Sequence, residues 1–134
     1  MNLLLAGFLV AHALIHLSYL TPAPPRTAGG PEWPFELHRS WLVTSLQLDG
    51  RLVRTLGTAL VAATATLLVA AGLATGGWLI SAGWWTGLVL SGAGLSIVTL
   101  GFFFHPWLSL GLAIDAALLW AVLVSGWQPV GALG

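Results

Sequence analysis

The sequence predicts an all-α, polytopic membrane protein in which four transmembrane helices form an up-down bundle. Only 6% of its 134 residues are charged and 57% are hydrophobic, and four apolar stretches are each long enough to cross a bilayer. A soluble domain carries about 25% charged residues, and so small a globule must still cover a large surface. Lipid is therefore the expected solvent for this chain.

The four apolar stretches define the predicted spans of a single domain covering residues 1–134. A hydrocarbon core of about 30 Å requires about 20 helical residues, and lipid cannot satisfy free backbone groups, which favours helices. Barrel strands would alternate apolar and polar residues, and these stretches do not. The predicted helices cover residues 2–20, 52–74, 79–104 and 106–127.

One polar segment, residues 21–51, separates the first two spans. Its first half contains five prolines, which exclude a helix there. Residues 35–48 place apolar side chains and His38 at helical spacing, so we expect a short helix lying in the membrane interface. Asp49 suits the N-cap of the second span.

Small residues indicate how the second and third spans pack against each other. Two ridges have three- and four-residue spacing, which allows close backbone approach in lipid. They consist of Ala59, Ala63, Thr66 and Ala70 on the second span and of Gly83, Gly87, Ser91 and Gly94 on the third. We expect these two spans to form a tight antiparallel pair.

The arginines predict the orientation in the membrane. All four basic residues lie in or beside the 21–51 loop, namely Arg26, Arg39, Arg51 and Arg54. The positive-inside rule then places this loop in the cytoplasm and both termini outside. The expected location is a bacterial inner membrane. The net charge of zero gives no indication of a nucleic-acid partner.

Ionisable residues within the spans are the candidates for function, because such residues are costly in lipid and face the protein interior. His12, His16 and Tyr19 share one face of the first helix, and Asp115 lies in the middle of the fourth. At 1.5 Å per residue, His12 and Asp115 lie roughly 12 and 14 Å from the same surface. His105 lies at the inner end of the fourth helix, and together with His16, His12 and Asp115 it predicts a polar file from the cytoplasmic face to mid-membrane.

Three hypotheses account for this polar file. In the first, a His12–Asp115 contact is structural and the protein is a non-enzymatic accessory or interaction subunit, bound to other membrane subunits or to itself. In the second, His12, His16 and His105 hold a transition metal or haem, with Asp115 completing or orienting the site. In the third, Asp115 carries protons for a small-solute carrier, since chains of His and acid form intramembrane relays.

Missing residue types exclude several other chemistries. The chain contains no cysteine, so disulfides, thiolate metal ligands and thiol redox reactions are excluded. It also contains no lysine, so a retinal Schiff base or another covalent lysine mechanism is excluded. No complete catalytic set is visible in the sequence, and we therefore favour the accessory subunit.

The stretch from Phe8 to Leu17, Phe-Leu-Val-Ala-His-Ala-Leu-Ile-His-Leu, resembles the first helix of the DoxX-like family of small bacterial membrane proteins. His12 matches the histidine of that family's His-Gly pair, Ala13 replaces the glycine, and His16 stands where the family has lysine. The resemblance implies four helices with a longer first loop. It also implies an inner-membrane accessory subunit, in some members tied to redox complexes.

Overall fold

A computed structural model describes residues 3–25 and 28–129 of the chain. Within these ranges the protein is helical and contains no strand. Four helical segments have the length and apolar composition to cross a membrane, which confirms the predicted fold class. These segments are Leu3–Leu20, Gly50–Thr75, Ala82–Phe102 and Pro106–Leu123.

The first two spans match the predicted boundaries within two residues. Helix α1 covers Leu3–Leu17 and continues as a 3-10 turn over Ser18–Leu20. The second span is helix α3, Gly50–Thr75. It begins where Asp49 accepts hydrogen bonds from the amides of residues 51 and 52, so the predicted N-cap is confirmed.

The last two spans each begin with a 3-10 turn and are shorter than predicted. Helix α4, Trp85–Phe102, follows the turn Ala82–Trp84, and helix α5, Ser109–Leu123, follows the turn Pro106–Leu108. Residues 76–81 leave the helical path, where Gly77 has a φ of 68° that glycine adopts without strain. The third span therefore starts later than residue 79, and the fourth ends before residue 127.

Helix α3 lies at the centre of the packing. It contacts α1 on one side and α4 on the other, and α5 packs on α4. Two apolar cores result, one around Leu68 and Trp85 and one around Val61 and Phe103. Helix α5 is the least enclosed span, since Asp115 and Leu118 are its only buried residues.

The predicted pairing of the second and third spans is present, but the predicted ridges do not form the contact. Gly87 of the third-span ridge has open space where a side chain would project. Most of the second-span ridge, including Ala59 and Ala63, is exposed. The contact instead brings Gly92 against Leu68, where an added Cβ would lie 3.0 Å from Leu68 Cδ2. High Gly and Ala content thus produces small-residue ridges on exposed faces of the helices as well.

The interfacial helix predicted over residues 35–48 is confined to one turn, α2, Trp41–Thr44. The segment is instead tied to the end of α4, because Ser40 Oγ donates to the Phe102 carbonyl at 2.7 Å and Trp41 Nε1 donates to the Gly101 carbonyl at 2.8 Å. The last carbonyls of a helix lack partners within it. These tertiary hydrogen bonds outweigh a longer local helix.

Candidate functional site

Three spans bring four buried polar side chains together near the middle of their lengths. His12 and His16 come from α1, Ser96 from α4 and Asp115 from α5, and we call this group the polar centre. The i, i+4 spacing puts both histidines on one face of α1. All four side chains are almost fully enclosed, with exposed fractions between 0% and 4%.

Asp115 is the hub of the polar centre. Its Oδ1 lies 2.9 Å from His12 Nε2, and its Oδ2 accepts a hydrogen bond from the Ser96 hydroxyl. Ser96 Oγ also lies 2.8 Å from His16 Nε2. The network therefore joins α1, α4 and α5, and the His12–Asp115 contact expected from their equal depths is present.

The hydrogen-bond directions around Ser96 follow from counting protons. The Ser96 hydroxyl donates its hydrogen bond to Asp115 Oδ2. A serine has one proton, so Ser96 must accept from His16, which then carries its proton on Nε2. His16 Nδ1 is left with an acceptor lone pair. This buried atom has no hydrogen-bond partner in residues 3–25 and 28–129.

The polar centre offers a compact set of metal-binding atoms. One ligand atom each from His12, His16 and Asp115 lie within 4.8 Å of one another. His105, predicted as a ligand, instead caps the start of the 3-10 turn at Pro106, where its Nδ1 accepts from the Trp107 amide at 3.3 Å. The third member of the group is therefore Asp115 and not His105.

Tyr19 shares the helix face of the two histidines but not their network. Its hydroxyl donates to the Phe103 carbonyl at 3.3 Å, and its ring packs edge-on against Phe35. It joins the loop end of α1 to the connection after α4. Tyr19 is thus a packing residue beside the polar centre.

Two spaces separate α1 from α5, one on each side of the polar centre. Towards the chain termini lies an apolar groove of about 480 Å³, which we call the terminal groove, bounded by Phe8 and Ala121. Towards the 21–51 loop lies a cavity of about 140 Å³, which we call the loop-side cavity, and His12 and His16 line it. This volume is close to that of a protein cavity known to admit benzene.

Four ionisable residues of the loop, Glu32, Glu36, His38 and Arg39, form a separate cluster. Arg39 contacts Glu32 through Nη1 and Glu36 through Nε, each at 2.6 Å, and His38 Nε2 lies 3.1 Å from Glu36. The hydrogen bond to Glu32 raises the pKa of Arg39. This cluster lies at the surface and is not part of the polar centre, as expected for a solvated loop.

Ser96 is the site residue that the sequence analysis missed. It lies in an apolar helix, and serine in such helices commonly bonds to its own backbone. Its position along the helix could have identified it. At 1.5 Å per residue, Ser96 lies about 9 Å from the loop end of α4 at Phe102, close to the predicted depth of His12.

No protein-family model matches the chain, and no curated protein or solved structure shows significant similarity to it.

Proposed function

We propose that this protein is a non-enzymatic accessory subunit that binds a transmembrane helix of another protein in the terminal groove. The groove is the observation that carries the proposal. It lies between α1 and α5, and the residues that form it are almost entirely apolar. Ala117, Ala121 and Ser125 line it at four-residue intervals, the spacing that permits close approach of a second helix in lipid.

The polar centre has a structural role in this proposal. Helix α5 forms one wall of the terminal groove and buries only Asp115 and Leu118. The hydrogen bonds of Asp115 therefore hold this wall in place. The role agrees with the accessory subunit that the DoxX-like resemblance implies.

A native-gel experiment on detergent-solubilised membranes tests the proposal. We expect the parent protein to migrate as a complex larger than the monomer, and Ala121→Trp to release the monomer by filling the groove. Leu123→Trp is the matched control, because Leu123 is 67% exposed and does not line the groove. A monomeric parent protein, or equal complexes in both variants, would contradict the proposal.

A single-cysteine variant identifies the occupant of the groove. The chain has no cysteine, so Ala121→Cys carries a unique attachment point for a short crosslinker. We expect an adduct with one defined membrane protein, absent from Leu123→Cys. An adduct with a second copy of this chain would instead make the groove a homodimer interface.

The orientation is part of the same proposal. We place the 21–51 loop in the cytoplasm of a bacterium, on the strength of Arg39, Arg51 and Arg54, while Arg26 lies outside the described residues. A membrane-impermeant maleimide applied to intact cells should label Gly126→Cys and leave Ser45→Cys unlabelled. The reverse labelling pattern would invert the topology.

A transition-metal site is a second candidate, favoured by the three ligand atoms of the polar centre. Two imidazole nitrogens and one carboxylate oxygen suit zinc or ferrous iron, and the ion would replace the hydrogen bond between His12 and Asp115. Only one carboxylate is present, so a divalent ion would leave a net positive charge in the membrane, which is costly.

Metal content decides this second candidate. Protein purified in mild detergent should contain near-stoichiometric metal that is lost in the His12→Ala, His16→Ala double variant. It should be retained in His38→Ala, since His38 lies outside the ligand group. Protein free of metal, purified from cells well supplied with it, would remove this candidate.

The proton-linked carrier stays a prediction of the sequence. It is tested by comparing pH-driven flux in proteoliposomes that contain the parent protein with flux in proteoliposomes that contain Asp115→Asn.

A further inference from the structure

A pocket of about 410 Å³ lies between the loop end of α1 and the start of α3. Arg54 and Thr58 of α3 line it together with Thr21, which follows α1, and His38 of the loop, and we call it the arginine pocket. It is separate from the loop-side cavity, which lies between α1 and α5. The arginine pocket differs from the terminal groove in being lined by several polar side chains.

The arginine pocket lies at the depth of the lipid headgroups. Gly72 of α3 packs against Ala6 of α1, where an added Cβ would lie 3.1 Å from the Ala6 carbonyl oxygen. Moving about 21 Å along both helices from this contact, at 1.5 Å per residue, reaches Leu20 on α1 and Thr58 on α3. The first span ends at Leu20. Arg54 lies one turn beyond Thr58 and therefore beyond the hydrocarbon, where lipid phosphates are found.

Arg54 is the hydrogen-bond donor that the pocket leaves available. In the described part of the chain, the ion pairs involve Arg39 and two histidines, and none includes the Arg54 guanidinium. The neighbouring hydroxyls already donate to backbone carbonyls, Thr21 to Ser18 at 2.8 Å and Thr58 to Arg54 at 2.9 Å. An anion in the pocket would thus be held by the planar fork of guanidinium N–H groups.

The charges around the pocket favour an anionic ligand. Among the described residues that line it, Glu36 is the only carboxylate. Arg39 Nε lies 2.6 Å from Glu36 and His38 Nε2 lies 3.1 Å from it. Because Arg39 compensates Glu36, the charge of Arg54 remains unbalanced. A zwitterionic headgroup would add an ammonium group for which the pocket has no unpaired carboxylate.

We propose that the arginine pocket binds the phosphate of an anionic phospholipid of the phosphatidylglycerol class, through the guanidinium of Arg54. Guanidinium and phosphate match in charge and in bidentate geometry, and basic pockets between transmembrane helices bind anionic headgroups. Leu20, at the pocket wall, is 46% exposed. Ala59 and Ala62 are also exposed and continue from Thr58 towards the bilayer centre. The acyl chains of the lipid lie on this apolar surface.

Native mass spectrometry of delipidated protein in detergent micelles tests the proposal. The two probes are phosphatidylglycerol and phosphatidylcholine with identical acyl chains, titrated separately. We expect one phosphatidylglycerol to bind with about tenfold higher affinity than phosphatidylcholine, a difference that corresponds to about 1.4 kcal/mol. Equal affinities for the two lipids would overturn the proposal.

A pair of arginine variants tests the role of the guanidinium. Arg54→Gln should remove the preference for phosphatidylglycerol. Arg51→Gln is the matched control, because Arg51 is exposed on the same helix and carries the same charge but does not line the pocket. Its preference should persist. If both variants keep the preference, or both lose it, a specific contact with Arg54 is refuted.

A pair of threonine variants tests the location without changing charge. Thr58→Trp should block the pocket and weaken phosphatidylglycerol binding to the level of phosphatidylcholine. Thr55→Trp should bind as the parent protein does, since Thr55 is exposed on the same helix and lies outside the pocket wall. Unchanged binding in Thr58→Trp would rule out this pocket.

Glycerol 3-phosphate distinguishes a lipid from a soluble phosphate. It has a phosphate but no acyl chains, and in excess it should leave phosphatidylglycerol bound, because the acyl chains add apolar contact. Complete displacement would overturn the assignment to a lipid. The four variants leave the residues of the terminal groove and of the polar centre unchanged. Lipid binding can therefore fail while the native-gel result succeeds, or the reverse.

Discussion

Ser96→Ala is the sharpest test of the polar centre, because one hydroxyl makes two of its hydrogen bonds. The substitution removes the contacts to His16 Nε2 and to Asp115 while leaving both partners buried. Hydrogen bonds between membrane helices contribute about 0.6 kcal/mol on average and up to about 1.7 kcal/mol. Losing both should lower the free energy of unfolding by about 1 kcal/mol, and by about 3 kcal/mol at most.

Equilibrium unfolding in mixed micelles, with an increasing fraction of dodecyl sulfate and helical circular dichroism as the signal, measures this difference. Ser91→Ala is the matched control, since Ser91 lies on the same helix at an exposed position. We expect the control to stay within about 0.5 kcal/mol of the parent protein. If Ser96→Ala also stays within that range, the network does not hold the three helices together and the reasoning fails.

Three other substitutions test neighbouring conclusions. Asp115→Asn retains an acceptor oxygen whereas Asp115→Leu retains none, so the leucine variant should be less stable by about 1 kcal/mol in the same unfolding assay; equal stabilities would contradict the hub role. Gly57→Ala should destabilise by about 1–3 kcal/mol, because its Cβ would lie 2.5 Å from a phenylalanine ring atom, whereas Gly87→Ala has open space and should not destabilise. Ser40→Ala removes the cap of α2 and its bond to α4, so limited proteolysis should cut the 21–51 loop faster than in Ser45→Ala; equal cleavage rates would show that this anchor is dispensable.

The spans and the His12–Asp115 contact could be predicted because both depend on positions along the sequence alone. Apolar length gives the number of spans, and rise per residue gives depth, which placed His12 and Asp115 at the same level. Their hydrogen bond follows from that depth, since an unpaired acid in lipid is costly. Helix boundaries at Asp49 and Pro106 followed from local capping chemistry.

The parts that could not be predicted depend on which faces meet. The small-residue ridges suggested the right helix pair, yet the face that makes the contact is set by larger side chains such as Leu68 and Val89. Ser96 was missed for the same reason, because its role exists only once α4 is rotated towards α1 and α5. The residues 35–48 were expected to be helical, but the free carbonyls of α4 determine their path.

The dependence of α5 on Asp115 has a consequence for biosynthesis. The fourth span leaves the ribosome after the other three, and until it docks, His12 and Ser96 lack the carboxylate that they share in the folded protein. A chain truncated before residue 106 would therefore expose unpaired polar groups within the bilayer, a feature that distinguishes incomplete chains from complete ones. An acid within a span is costly in lipid until it is paired, so the docking of α5 satisfies Asp115 and its two partners in one step.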